Sequence, residues 1–175
     1  GVYLRSLNPA FRADDSPETI AAAYTLGIQH PPGYPLHTLA AHVFMQWPLG
    51  APAWRGNLFA AFCAALAAAL LAALVAGLAQ TWLQAHGETA IGRRHALSAA
   101  TGAFAGLLMG LGATYWSQAL AAKGGIYTLH MVCILAVWFL LWAWMQAAEA
   151  LPKAGAIELL LLPSARVLVW VLALG

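Results

Sequence analysis

The sequence predicts an all-α integral membrane protein: a multi-span helical bundle with a structured extracytoplasmic first loop bearing short interfacial helices. Three observations lead there. Hydrophobic residues make up 62% of the chain and charged residues only 8%, with a positive mean hydropathy, a balance that belongs to membrane proteins. Three apolar stretches are long enough to cross a hydrocarbon core, which takes about 20 helical residues at roughly 1.5 Å each. The third observation is a polar exception, DDSPETIAAAYTLGIQHPPGYP from Asp14 to Pro35, where three acids and a proline-rich turn interrupt an otherwise membrane-like chain.

The elements follow in order. Residues 1–7, opening on the apolar GVYL, read as the end of a first span, and the chain as a fragment of a longer protein. Residues 8–55 form an outer loop. Within it the pattern predicts a short helix from Ser16 to Leu26, a turn through HPPGYP, a second helix from Leu36 to Trp47 and a turn through PLGAP. Both helices are too short to cross and too apolar to stand in water, so they are expected along the interface or against the bundle. The spans are expected at 58–82, 96–116 and 126–145, with a further one starting at 167–175. Small residues fill the first, and Gly102, Gly106 and Gly110 recur at four-residue spacing in the second, a pattern that lets helices approach closely. The third carries Trp138, Phe139, Trp142 and Trp144, as expected of a face toward lipid or the interfacial belt.

Orientation is read from the loops. Arg93 and Arg94, between the first two spans, place that loop in the cytoplasm by the positive-inside rule. The acid-rich loop and the turn around Lys123 then share the opposite, extracytoplasmic face. Nothing at the start has the basic region, apolar core and small-residue cleavage site of a secretory signal peptide. A net charge of +2 is too small and scattered for nucleic-acid binding, which needs a concentrated basic face. Cys63 and Cys133 fall inside predicted spans, and no disulfide framework or metal spacing is visible.

The residues able to carry chemistry lie on the outer face. Asp15 and Glu18, three apart with Pro17 between them, come close to a capping box at a helix start, and that alone accounts for them. The same carboxylates, partly desolvated at a membrane surface, also suit a general base with a second acid that orients the nucleophile, shifts the first one's pKa or helps to hold a divalent cation. HPPGYP is a rigid bend that either connects two helices or presents His30 and Tyr34 to a head group. His37 and His42 read as interfacial polar contacts. Lys123, followed by Gly124 and Gly125, offers a cation beside exposed backbone N–H groups, or snorkels to the head-group layer. Arg55 is open to the same two readings, and Tyr127 suits an aromatic anchor at the interface.

The blocks DSPETIAAAYTLGIQHPPGYPLHTL, AWRGNLFAAFCAALA and WSQALAAKGGIYTLH resemble a family of bacterial membrane proteins known as a domain of unknown function. That family is similar to vertebrate plexin-type O-mannosyltransferases and is placed among the GT-C glycosyltransferases. The resemblance implies a GT-C fold in the bacterial inner membrane, a polyprenyl-phosphate-linked sugar donor, and a protein, lipid or glycan acceptor on the extracytoplasmic side. It also implies an essential acid in the first outer loop, which falls on Asp15 and Glu18 as the catalytic candidates. Asp14, His30, Tyr34, Arg55, Lys123 and Tyr127 are the candidate substrate-binding residues. Two positions depart from the family pattern: Pro17 stands where glycine is usual, and Lys123–Gly124–Gly125 where many relatives carry an acid. Metal dependence varies in that superfamily, so a divalent cation is left open. The rival reading is a non-catalytic transporter or assembly subunit. Transporters keep polar groups near the middle of their spans, and these spans have almost none.

Overall fold

The computed structural model describes residues 1–12 and 14–149; the expected further span at 167–175 lies outside them. The described residues form seven helices: α1 (Val2–Ser6), α2 (Ser16–Thr25), α3 (Pro35–Met45), α4 (Pro52–Ala85), α5 (Ile91–Leu111), α6 (Ala113–Ala119) and α7 (Gly124–Glu149). Two of them, α4 and α7, are long and apolar enough to cross a membrane, and α5 with α6 makes a third span if the bent pair is counted as one. The chain is an integral membrane protein.

The first expected span lies within α4, which is extended by a turn or two at each end. The second does not run straight over 96–116. Its helix begins at Ile91, stops at Leu111, and turns by 66° into α6. The break falls at Gly112, whose backbone is extended (φ −61°, ψ 131°), so the ladder of helical hydrogen bonds cannot pass through it.

The chain divides into two compact units. Among the described residues the first comprises Gly1–Ala68 and Leu107–Val132, the second Ala69–Gly106 and the residues from Cys133 to Glu149.

In the first unit α2 and α3 pack on the start of α4. Ile20 and Ala23 from α2, Ala41 and Met45 from α3, Phe59 and Cys63 from α4, and Ala122 form one buried cluster. α2 ends on Leu26 in the left-handed conformation (φ 55°), with the Gly27 amide bonded back to the Ala22 carbonyl at 2.9 Å, a closure that satisfies the last carbonyls of the helix. α3 starts after a second left-handed residue, Tyr34 (φ 44°), with Pro35 in its first turn; proline's missing N–H costs nothing there. At its other end Arg55 donates through Nη1 to the carbonyls of Met45 (2.5 Å) and Trp47 (2.7 Å), a cation on the carbonyl-rich end of a helix.

In the second unit Gly102 of α5 lies directly on α4. A β-carbon at position 102 would fall on the Ala72 carbonyl and 2.7 Å from the Ala76 methyl, so the small residues there serve close helix approach as the spacing suggested. Gly102→Val is expected to lower stability by about 1–3 kcal/mol, read as a lower thermal unfolding midpoint in detergent; an unchanged midpoint would contradict the packing. Trp142 departs from the expected lipid-facing stripe. Its ring covers Gly77 of α4, where a β-carbon would stand 2.5 Å from it. Trp138 is 58% exposed.

Candidate functional site

The site is built from the first unit. A 3.0 Å bond from the Thr19 amide to the Asp15 carbonyl opens the helical ladder of α2, so Asp15 occupies the cap position, yet its side chain makes no capping bond. The capping-box expectation therefore fails. Asp14 takes the local role instead, its Oδ1 accepting from the Ser16 amide at 2.8 Å. That leaves the Asp15 carboxylate free to point away from the helix end, where it meets the Lys123 ammonium in a direct ion pair.

The pairing is held from both backbones. Ser16, fully buried, accepts the Lys123 amide on its hydroxyl at 3.3 Å. Gly124 turns the chain so tightly into α7 that a β-carbon there would coincide with the Gln118 carbonyl. Gly124→Ala is therefore expected to move Lys123 away from Asp15 and to lower the unfolding midpoint, since backbone cannot yield as a side-chain tip does. A variant with wild-type stability and an intact pair would refute this.

The electrostatics agree with the geometry. The hydrogen bond to Asp15 holds the Lys123 pKa above the ordinary lysine value; desolvation opposes it, and the charges of Asp15, Tyr127 and Asp14 add to it. For Asp14, burial pushes the carboxyl up, but the Ser16 hydrogen bonds and the nearby Arg12 and Lys123 cations outweigh it and leave the pKa below the usual carboxylate range.

Glu18 points elsewhere. One oxygen accepts the His30 amide and the other the His30 ring Nδ1, both at 2.6 Å. These bonds hold the Glu18 pKa down, opposed in part by desolvation and the Asp15 charge. Glu18 thus clasps the proline turn to the first turn of α2. Tyr34 stands edge-on to His30, ring centroids 6.5 Å apart. The structure accordingly brings Asp14, Asp15 and Lys123 together, gathers Glu18, His30 and Tyr34 in a neighbouring group, and places half-exposed Tyr127 on the first turn of α7 after Lys123. Arg55 stays on the α3 carbonyls. No three His, Cys, Asp or Glu side chains converge as a metal cluster among the described residues.

Over residues 15–173 the sequence matches the family described as Protein O-mannosyl-transferase TMEM260 N-terminal domain. The chain belongs to this family. Mouse Protein O-mannosyl-transferase TMEM260 is 42% identical over 65 residues, which is 37% of this chain and 9% of the mouse protein. No solved structure matches. The range shared with the TMEM260 N-terminal domain begins at Asp15, so Glu18, His30, Tyr34, Arg55, Lys123 and Tyr127 all lie inside it, while Asp14 precedes it.

His37 reads from the sequence as an interfacial polar contact, but it is buried, and sequence reasoning missed the buried polar layer it belongs to beneath the candidate site. Gln29 donates to Thr38 Oγ1 at 3.0 Å and stands 3.4 Å from His37 Nδ1, with Thr19 Oγ1 3.4 Å from its Oε1. His37 itself abuts Gly125, two residues after Lys123. The available signal was faint: three polar residues at 29, 37 and 38 among apolar neighbours. Asn57 was missed as well. It is fully buried and donates to the carbonyls of Asn8 (2.8 Å) and Ala10 (2.9 Å), which ties the segment before α2 to α4.

Proposed function

We propose that this chain carries the catalytic acid of a GT-C-type, inverting glycosyltransferase that takes a sugar from a polyprenyl-phosphate donor and passes it to an acceptor hydroxyl on the extracytoplasmic face. Family membership and the name of the mouse relative favour mannose as the sugar. Arg93 and Arg94 in the α4–α5 loop favour a cytoplasmic position for that loop, which leaves the acid-rich loop outside a bacterial inner membrane. The helices then form one multi-span bundle of the whole protein, with α2 and α3 at its outer surface.

The observation that carries the reading is the Asp15–Lys123 pair: a carboxylate freed from helix capping and held by a cation from a distant loop. In the reaction, the acceptor oxygen attacks the anomeric carbon while its proton passes to the Asp15 carboxylate. The bond from that carbon to the phosphate oxygen breaks, and the electron pair leaves on the phosphate. Lys123 orients Asp15 and lends positive charge to the departing phosphate. Glu18 acts through His30, fixing the turn that walls the site, and Tyr34 and Tyr127 contact the sugar or head group.

The test uses the full-length protein that carries this sequence, in membranes supplied with radiolabelled polyprenyl-phosphate mannose. Transfer of label to an endogenous acceptor that depends on the protein is the expected result. No protein-dependent transfer from this or other polyprenyl-phosphate hexoses would overturn the reading in favour of a non-catalytic membrane subunit.

A further inference from the structure

The described cations of the first unit divide sharply. Arg55 is engaged by the carbonyls of Met45 and Trp47, and Lys123 by Asp15. Arg5 and Arg12 remain. Among the described residues no carboxylate lies within ion-pair distance of either, and their one hydrogen bond there is a 3.3 Å contact from Arg12 Nη1 to the Ser117 carbonyl. Both line a single cavity of about 390 Å³, together with Ser6, Asn8 and the apolar Leu7 and Leu120.

The backbone under these two arginines is fixed. Tyr3, on the same short helix as Arg5, donates to the Gly110 carbonyl at 2.5 Å and packs against Trp116 with ring centroids 5.0 Å apart. Asn57 holds the segment between the arginines through the carbonyls of Asn8 and Ala10. Two guanidinium groups on a pre-arranged backbone, with hydroxyl and amide groups beside them, suit a phosphate, whose oxygens match the arginine fork. An apolar flank suits a hydrocarbon tail. Val2 and Leu4 are exposed on α1 at 60% and 54%, and Leu7 and Leu120 continue that surface into the cavity wall. Arg12 stands two residues before Asp14 in the chain, and its charge helps to lower the Asp14 pKa.

We propose that Arg5 and Arg12 form a binding site for a phosphate borne on a lipid. Its assignment to the sugar donor rests on the glycosyltransferase reading; a bilayer phospholipid offers the same chemistry. Both arginines precede the range shared with the TMEM260 N-terminal domain, so the family match does not supply them.

The experiment measures binding to the full-length protein in detergent, with three probes: a short-chain polyprenyl phosphate, the uncharged polyprenol of equal length, and mixed micelles containing phosphatidylglycerol. Arg5→Gln and Arg12→Gln are each expected to weaken polyprenyl-phosphate binding about tenfold, and the double variant about a hundredfold, with polyprenol binding unchanged. Arg5→Lys should recover part of the loss. A loss confined to phosphatidylglycerol supports the phosphate site and assigns it to the bilayer. Wild-type binding of both phosphate probes by the double variant overturns it. Because the Arg5 side chain makes no hydrogen bond or ion pair among the described residues, the Arg5→Gln single variant decides the matter if the double variant does not fold. If the wild type transfers no sugar but the arginine variants lose phosphate binding, the glycosyltransferase reading fails and this site stands. If the wild type transfers sugar and the variants bind phosphate unaltered, the glycosyltransferase reading stands and this site fails.

Discussion

Asp15→Asn is expected to lower sugar transfer by about 10²–10⁴-fold, the range that a positioned general base contributes. Asparagine keeps the shape of the side chain and can still accept a hydrogen bond from Lys123, but it cannot take a proton from the acceptor hydroxyl. The loss should therefore fall on kcat, with the donor KM nearly unchanged. A capping role predicts a different outcome, a fall in stability with transfer preserved, and the structure argues against it because the Asp15 side chain makes no capping bond. Glu18→Gln supplies the comparison. It weakens the clasp on His30 without touching the Asp15–Lys123 pair, so its loss of transfer should be much smaller. Wild-type transfer by Asp15→Asn at matched protein levels would remove Asp15 from the mechanism.

The second large effect is on stability, and it depends on pH. His37 is buried, its Nε2 has no hydrogen-bond partner among the described residues, and the groups around it are Gln29, Thr38, Phe59 and the Gly125 backbone, none of them charged. The contact from Gln29 Nε2 to Nδ1 puts the ring proton on Nε2. Desolvation lowers the pKa from the ordinary 6.5 to about 4. The unfolded chain thus binds a proton near pH 6.5 that the folded chain refuses until about pH 4. Stability from this group is complete above 6.5 and falls as the pH drops through that window, by about 3 kcal/mol in all. Asp14 and Glu18 have lowered pKa values, so their contributions are lost only at lower pH, below the ordinary carboxylate values. Unfolding midpoints in detergent at pH 7.5, 6, 5 and 4 would check this. The wild type should lose stability mainly between 6.5 and 4, and His37→Gln should flatten that part of the profile. Parallel profiles would show that His37 is not the group responsible. Because His37 abuts Gly125, its protonation would also disturb the turn that carries Lys123.

Much of the architecture was legible because the bilayer imposes a simple length and polarity rule on any helix that crosses it. α4 and α7 follow from uninterrupted apolar runs, and α2 and α3 from short patterned segments bounded by prolines. The kink at Gly112 was not legible, since glycine is common within membrane helices and only its backbone torsions reveal a break. The Trp142 contact was hidden for a similar reason: a tryptophan that packs on Gly77 and one that faces lipid look alike in a hydropathy pattern.

At the site, the sequence marked Asp15, Glu18 and Lys123 because charged groups are rare and costly in such a chain. It could not say which acid does what. D-S-P-E fits a capping box and a catalytic pair equally well, and spacing along the chain carries no information on where each carboxylate turns. Lys123 lies 108 residues from Asp15, and Ser16, Asn57 and the Gln29–Thr38–His37 layer acquire meaning only when the short helices fold back on α4 and α7. By itself, then, the sequence determined the membrane class, the helix lengths and the few polar groups available, since these depend on composition and local periodicity. Tertiary structure decided that Asp15 meets Lys123, that Glu18 closes the His30 turn, and that Arg5 and Arg12 have no carboxylate partner among the described residues, because each of these depends on which side chains packing brings within a hydrogen bond of one another.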